Sequence, residues 1–290
     1  MFQFAARVPF LVASALALFV CACAPTLSEL RADLPSSAGG FDAASLDGDR
    51  PGQIAAAQRL CHPLANAVQR ALGFELSRRA HMADASDVET ASLLARCAYL
   101  RSEREQDLAV LAQVTAIGIE AASVAGSVKA RQCLGHSAMK DGGPNLCPSD
   151  VSRAAYWHAL LIGLRMRVAG MREALSLIEE EMALLDVARL TAEEEEGGPL
   201  RVLAMIYLKA PAWPAGPGDL DQALELLQEA VRRFPSHPLN RIFLAAALVE
   251  DGQDSAAKEE LARGLALADE ALWGEVAHDW RNLDALLGQH

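Results

Sequence analysis

Apolar side chains recur every three or four positions from residue 53 onward, which is the spacing of an amphipathic helix. No alternating pattern typical of a half-buried strand competes with it. A long apolar segment over residues 108–128 carries small residues that let neighbouring helices approach closely. Because polar and acidic positions interrupt this segment, we expect a buried core helix rather than a transmembrane span. The periodic apolar positions of the first helices include Leu60, Leu64, Val68, Leu72, Leu93, Leu94, Cys97 and Leu100.

Two breaks divide the helical part. Residues 133–149 contain Gly-Gly-Pro and Cys-Pro, which predict a loop, with Ser149 or Asp150 as the N-cap of the next helix. Residues 193–199 include four consecutive glutamates, interpreted as a solvated charge cluster at a helix end. The helical domain predicted over residues 53–290 therefore has three parts. These are N-terminal helices at 53–132, the cysteine-bearing loop at 133–149 and better-registered repeats at 150–290.

A repeat emerges after residue 198. Four residue pairs share one register, and the tetratricopeptide repeat has a period of about 34 residues. Small residues stand where antiparallel helices would approach, large apolar ones would fill the groove between them, and Pro235 and Pro238 separate one helix from the next. The predicted fold class is all-α, built from tetratricopeptide-like helical hairpins (an α-solenoid), with one connection lengthened over residues 210–218. The pairs, each 34 positions apart, are Gly218 and Gly252, Ala223 and Ala257, Leu227 and Leu261, and Ala230 and Gly264.

The first 52 residues differ from the rest. Arg7 precedes an apolar run that ends near Val20 and is too short to span a bilayer, which predicts a signal peptide over residues 1–22. Cys23 follows Ala22 as in a bacterial lipobox, so we expect it to be lipidated; the alternative is an ordinary cleaved signal with incidental cysteines. Residues 23–52, rich in Pro, Ser, Gly and Asp, predict a flexible tether. Because Ala24 follows Cys23, we expect a lipid anchor on the periplasmic face of the outer membrane.

The amino-acid composition favours one fold class and argues against one class of partner. Hydrophobic residues make up 52% of the chain but aromatic residues only 5%, which favours helices over strands. The formal net charge of −12 and the sequence pI near 5.1 argue against nucleic acid as a partner, because a polyanion would be repelled.

Several sequence segments after residue 152 are similar to those of a known family. They are AYWHA at residues 155–159, GGPLRVL at 197–203, YLKAPAWP at 207–214 and Gly218-Asp219. Together they resemble the T component of tripartite ATP-independent periplasmic (TRAP) transporters. The resemblance implies a lipid-anchored helical-repeat protein, for which a trimeric homo-oligomer, a pore for small hydrophobic ligands and a periplasmic solute-binding protein as partner are expectations.

Two interpretations are open for each candidate contact residue. Trp213, in the lengthened loop, could contact a partner or fold back beside Tyr207. Tyr156 and Trp157 could line a ligand groove through their polar ends, but they occupy consecutive helix positions, so we expect one of them in the core. Arg201 could bind a carboxylate, although a surface ion pair with the glutamate run at 193–196 is favoured.

Four cysteines remain after the anchor, and three pairings are possible. We prefer Cys133 with Cys147, which would close the loop, and Cys61 with Cys97 between neighbouring helices. A zinc site at Cys133, His136 and Cys147 would lack a fourth ligand, so no metal is predicted.

We expect no enzyme and no cofactor, because the sequence holds no nucleophile elbow, paired-histidine zinc motif or phosphate-binding glycine loop. Two functional hypotheses follow. The first is an accessory protein of TRAP-type uptake that binds a solute-binding protein, a small apolar ligand or both. The alternative is a general tetratricopeptide scaffold for envelope or secretion assembly.

Overall fold

The computed structural model describes residues 49–63, 65–136, 149–169, 171–190 and 193–268, and over these residues the protein is all-helical without a β-sheet. A 3₁₀ turn at Glu194–Glu196 precedes the seventh helix. The helices are α1 (Arg50–Leu60), α2 (Ala67–Ala83), α3 (Val88–Ser102), α4 (Leu108–His136), α5 (Ser149–Arg165), α6 (Met171–Ala188), α7 (Gly198–Lys209), α8 (Leu220–Arg233), α9 (Pro238–Glu250) and α10 (Asp254–Leu267).

Consecutive helices pack against each other throughout, so the described chain forms five successive hairpins. Contacts between alternate helices join α1 to α3, α3 to α5, and α7 to α9. The odd-numbered helices therefore lie side by side as an inner row, and the even-numbered helices cover them. This arrangement confirms the predicted all-α stack of helical hairpins.

Local sequence explains the helix boundaries. Asn66 and Gln69 form a capping box, each side chain accepting the other's backbone N–H at 2.9 Å. Asp87 and Asp219 are N-caps of α3 and α8, where their carboxylates accept the backbone N–H of Glu89 and Gln222. Pro238 occupies the first turn of α9, where its missing N–H costs nothing.

The register of the C-terminal repeat is confirmed by α8 and α10, whose first residues, Leu220 and Asp254, stand 34 positions apart. All six paired positions within these helices are buried. Gly264 replaces Ala230 in the second copy because a Cβ there would lie 3.1 Å from Ile242 and 3.2 Å from the Pro238 carbonyl oxygen. The paired buried positions are Ala223, Leu227, Ala230, Ala257, Leu261 and Gly264.

Gly218 and Gly252 share the same repeat position for different reasons. Gly252 has φ +73°, a left-handed conformation that glycine adopts without strain. Gly218 is required by space, because a Cβ would lie 2.2 Å from the carbonyl oxygen of Ala210 in the lengthened loop. The first copy thus uses its glycine to close a longer connection, whereas the second uses it for a tight turn.

Helix α4 is the long apolar segment noted in the sequence. Over Leu108–Gly126 its mean hydropathy is 1.7 and 39% of the window is buried, so by length and composition it could cross a membrane. It packs against both α3 and α5. Gly118 lies so close to Ala98 and Leu161 that a Cβ would approach them to 2.6 and 2.8 Å. These contacts are those of a helix inside the hairpin stack.

Two boundaries differ from the prediction. Helix α1 begins at Arg50, because the Asp49 side chain accepts the Gly52 N–H at 3.1 Å and Pro51 occupies the first turn. Helix α4 continues to His136, so the backbone at residues 133–136 is helical rather than part of the loop. A glycine near a helix end, here Gly135, is compatible with this extension. Residues 137–148 lie outside the described residues, as do the predicted signal peptide and most of the tether.

A disulfide bond joins the first hairpin to the second. It links Cys61, at the end of α1, to Cys97 on α3, with their Cα atoms 5.1 Å apart. Both residues are buried. The other predicted pair lies outside the described side chains, since only the helical backbone of Cys133 is described and Cys147 is not.

Two glycines of α4 provide a matched test of close helix packing. Gly118→Ala should lower the free energy of unfolding by about 1–3 kcal/mol, because the added methyl group overlaps Ala98 and Leu161. Gly126→Ala places its methyl group in open space and should raise stability by up to about 1 kcal/mol, the helix-propensity difference. Urea unfolding followed by circular dichroism measures both, and equal stabilisation by the two substitutions would contradict the packing.

Candidate binding groove

A groove runs across the inner row of helices. Its cavity volume is about 240 Å³, and side chains from α3, α5, α7 and α9 contribute to it together with the turn before α7. The groove therefore exists only because four hairpins align their inner helices. Its lining residues are Pro63, Arg96, Tyr99, Leu100, Glu103, Arg104, Tyr156, Trp157, Leu160, Glu195, Arg201, Val202, Leu239 and Phe243.

Aromatic rings form the floor of the groove. Tyr156 and Trp157 are 5% and 3% exposed, and their ring centroids lie 5.0 Å apart in an edge-on arrangement. Tyr99 of α3 lies 5.8 Å from Trp157. Although they occupy consecutive helix positions, both residues are buried in the core and both line the cavity. Their rings lean together across the base of the inner row.

Arg96 projects over this floor from α3. Its guanidinium carbon lies 5.7 Å from the centroid of Trp157, within cation–π range. Its nearest carboxylate is that of Glu195, where Nη2 and Oε1 are 3.9 Å apart. The Nε atom is buried and has no hydrogen-bond partner among the described residues. Arg96 is thus a stacked cation with a loose ion pair and a donor still unused.

Arg201 has a different environment from the one predicted. It is 4% exposed, so the surface ion pair with the glutamate run is wrong. The guanidinium donates to the backbone carbonyl oxygens of Glu195 at 2.9 Å and Glu196 at 3.2 Å, and to Asn240 Oδ1 at 2.6 Å. The residue binds the backbone of the glutamate run. Arg201 is therefore a structural anchor at the edge of the groove.

The turn that Arg201 holds is strained. Glu195 and Glu196 have φ values of 50° and 44°, and Gly197 follows at 98°. Left-handed backbone is unfavourable for residues with a Cβ and persists where surrounding contacts enforce it. Asn240 supplies such contacts, since its Nδ2 donates to the carbonyl oxygens of Glu196 at 3.1 Å and Phe234 at 2.8 Å. This network places the Glu195 carboxylate opposite Arg96.

The other acidic residue of the groove, Glu103, already forms ion pairs. The Glu103 carboxylate lies 2.5 Å from Nη1 of Arg70, a buried residue that also donates to the Leu100 carbonyl oxygen at 2.9 Å. Nε of Arg104 lies 3.5 Å from the same carboxylate. With three arginines and two glutamates in the lining, the groove has a formal charge of +1.

Trp213 lies away from the groove on the loop between α7 and α8. Its side chain is 86% exposed, so the alternative in which it covers Tyr207 is wrong. Backbone hydrogen bonds close the loop, from Gly218 N to Pro211 O at 2.8 Å and from Asp219 N to Tyr207 O at 2.9 Å. Tyr207 is half-buried on α7 and does not line the groove. Of the contact residues proposed from the sequence, Tyr156, Trp157 and Arg201 therefore line the groove, whereas Trp213 lies on a separate surface.

Several groove residues were not anticipated from the sequence: Arg96, Tyr99, Glu195 and Phe243. The spacing of Arg96, Tyr99 and Glu103 at i, i+3 and i+7 was a signal that they share one helix face. Cys23 and Cys147 lie outside the described residues. Within the part of the chain that the structure describes, no cluster of potential metal ligands is found.

A buried histidine adjoins the Arg201 network. His237, 8% exposed, precedes α9, and its Nδ1 lies 3.4 Å from Arg201 Nη1. Burial, with the nearby positive charge, lowers the pKa of His237 to about 3. Between α5 and α6, burial raises the pKa of Glu181 to about 8. At neutral pH both side chains are therefore uncharged.

Comparison with known proteins agrees with the helical hairpins. Residues 215–276 match the tetratricopeptide repeat family, a range that includes α8, α9 and α10. No curated protein is significantly similar to the chain. The chain therefore carries tetratricopeptide repeats, a fold unit that generally mediates contacts between proteins.

The buried side chains of His237 and Glu181 should make the stability of the fold depend on pH in opposite directions. Below about pH 6.5 the unfolded chain binds a proton at His237 that the folded protein excludes, so stability falls as pH decreases towards 3. Above about pH 4.5 the unfolded chain loses the proton that folded Glu181 keeps, so stability falls as pH rises towards 8. Each effect is at most about 1.4 kcal/mol per pH unit, and the two oppose each other between pH 4.5 and 6.5.

Urea unfolding from pH 3.5 to 8 checks this. Glu181→Gln should flatten the limb above pH 6.5, and His237→Asn should flatten the limb below pH 4.5. If Glu181→Gln left the upper limb unchanged, the assignment to that residue would be wrong.

Proposed function

We propose that this protein is a non-enzymatic scaffold whose inner groove binds an extended segment of a protein partner. The observation that carries the proposal is the alignment of α3, α5, α7 and α9 around one aromatic-floored groove. A segment lying across this row would contact several hairpins at once, as in other repeat proteins with extended inner surfaces. Support for a protein partner also comes from the tetratricopeptide match.

The composition of the groove suits protein recognition. Trp157, Tyr99 and Arg96 belong to the residue types that contribute most to binding energy at protein interfaces. The cavity volume of about 240 Å³ is below the roughly 300–1,000 Å³ of pockets that enclose drug-sized ligands. It suits one or two side chains of a longer segment that extends beyond the cavity.

Groove chemistry favours binding over catalysis. The described residues that line it include no serine, cysteine or histidine. A covalent mechanism needs a nucleophile within reach of a base, whereas Glu103, Arg104 and Arg201 are engaged in ion pairs or in hydrogen bonds to backbone carbonyl groups.

A second candidate function is an accessory role in TRAP-type solute uptake. Its support is the resemblance of residues 197–214 to the T component, together with the exposure of Trp213 on that same stretch. A rigid aromatic on a loop closed by hydrogen bonds loses little entropy on binding. In this proposal Trp213 contacts a periplasmic solute-binding protein, and the chain assembles as a homo-oligomer.

Anchoring is a further part of the proposal. Lipidation at Cys23 would hold the helical repeats at the periplasmic face of the outer membrane, with the predicted tether between anchor and helices. The sequence around residues 21–24 supports this placement. Mass spectrometry of the mature N-terminus would test it directly.

Site-specific photo-crosslinking in cells distinguishes the two functions. A photoreactive phenylalanine analogue at Phe243 in the groove should crosslink a discrete protein partner, whereas the same analogue at Gln228, exposed on the outer helix α8, should not. The second function predicts that a crosslink at Trp213 captures a solute-binding protein. Equal crosslinking at Phe243 and Gln228, or none at Phe243, would contradict binding in the groove.

A further inference from the structure

We infer that the groove recognises a carboxylate on the bound partner segment, with Arg96 as the group that binds it. This inference rests on the proposed function, because it specifies the chemistry of the segment that the inner row accepts. The ligand is an acidic side chain next to a bulky apolar group.

The position of Arg96 supports an anion as ligand. Stacking on Trp157 occupies one face of the guanidinium, and the Arg96 side chain as a whole is 32% exposed. The separation of 3.9 Å from Glu195 exceeds a hydrogen bond, and Nε has no acceptor among the described residues. A carboxylate can accept two parallel hydrogen bonds from one arginine, which would give the terminal nitrogens of Arg96 closer contacts than Glu195 provides.

Charge complementarity points the same way. The whole chain has a formal charge of −12, yet the groove lining is positive by one charge. The Glu103 carboxylate is engaged by Arg70 and Arg104, so it does not compete for Arg96. The Arg96 charge is only loosely compensated within this net positive lining, so it would attract an anion to a protein that otherwise repels anions.

Apolar side chains beside Arg96 define the rest of the ligand. Leu160, Val202 and Phe243 are partly exposed and line the groove around the arginine. A free inorganic anion would leave these surfaces uncovered. An acidic residue adjacent to a leucine or phenylalanine would satisfy the arginine and bury the apolar surface together.

The Glu195 carboxylate competes with a ligand carboxylate for Arg96. The left-handed turn held by Arg201 and Asn240 presents its carboxylate across the groove, near the arginine but beyond hydrogen-bond distance. A ligand carboxylate would contact Arg96 more closely than Glu195 does. The negative charge of Glu195 would repel that ligand. Removing the two charges should therefore have opposite effects on affinity, which a purely structural role of either residue would not produce.

The test begins with a phage library of random nonapeptides panned on the full-length protein. The most enriched peptide is synthesised with its acidic residue and with the matching amide, and affinities are measured by isothermal titration calorimetry. Two small probes, 4-phenylbutyrate and 4-phenylbutanamide, are titrated in parallel to separate a free organic acid from a peptide source of the same chemistry.

We expect the acidic peptide to bind at least about tenfold more tightly than its amide counterpart. Arg96→Gln should weaken its binding by at least about tenfold, and Arg96→Lys should have an intermediate effect because it keeps the charge but loses the fork. Glu195→Gln should tighten binding by about threefold to tenfold. The control Arg263→Gln removes a charge on α10, 57% exposed and outside the groove, and should change nothing. Circular dichroism confirms folding of each variant.

The outcomes separate this inference from the proposed function. If peptides are enriched but acid and amide bind equally, or if Arg96→Gln and Glu195→Gln weaken binding alike, carboxylate recognition is overturned and peptide binding stands. If no peptide is enriched but 4-phenylbutyrate binds in an Arg96-dependent manner, carboxylate recognition stands and the proposed function fails. If neither probe class binds, both are overturned.

Discussion

The structure depends on the close approach of antiparallel helices, which small side chains permit. Gly118 lets α4 lie against Ala98 of α3 and Leu161 of α5, and Gly264 does the same between α10 and α9. Interiors packed at crystal-like density do not absorb an added methyl group without strain. Close contact fixes each hairpin against the next, and the inner helices therefore align well enough to form a continuous groove.

A polar network completes what the apolar packing begins. Arg201 and Asn240 satisfy the carbonyl groups of a left-handed turn between α6 and α7 that would otherwise be strained without compensation. The turn brings Glu195 to the edge of the groove opposite Arg96. A buried arginine that could be mistaken for a ligand-binding group thus has an indirect role, since it positions an acid that modulates the binding arginine.

Sequence periodicity predicted the helices throughout and the repeat register after residue 198, where small and large apolar residues recur in the same order. The N-terminal hairpins could not be registered because their close contacts use different positions, such as Gly118 against Ala98, rather than a repeated pattern. The groove could not be derived because Arg96 and Glu195 are distant in sequence and meet only through the stacking of hairpins. Arg201 was identified by residue type, but its partners include backbone carbonyl groups and the distant Asn240 side chain, which no sequence pattern reveals.

The same geometry relates the two candidate surfaces. The groove lies on the inner row, whereas Trp213 stands on a connection between an inner and an outer helix, so one partner segment in the cavity and one protein at the loop could be bound without overlap. Tetratricopeptide repeats support the general role of the protein as a scaffold.

A crystal structure of the full-length protein with a partner segment is the most direct test of the central claim, that aligned inner helices form the binding surface. The account predicts the segment lying across α3, α5, α7 and α9, with an acidic group on Arg96 and an apolar side chain against Leu160 and Phe243. A segment bound to the even-numbered helices, or inner helices that do not share one face, would contradict it.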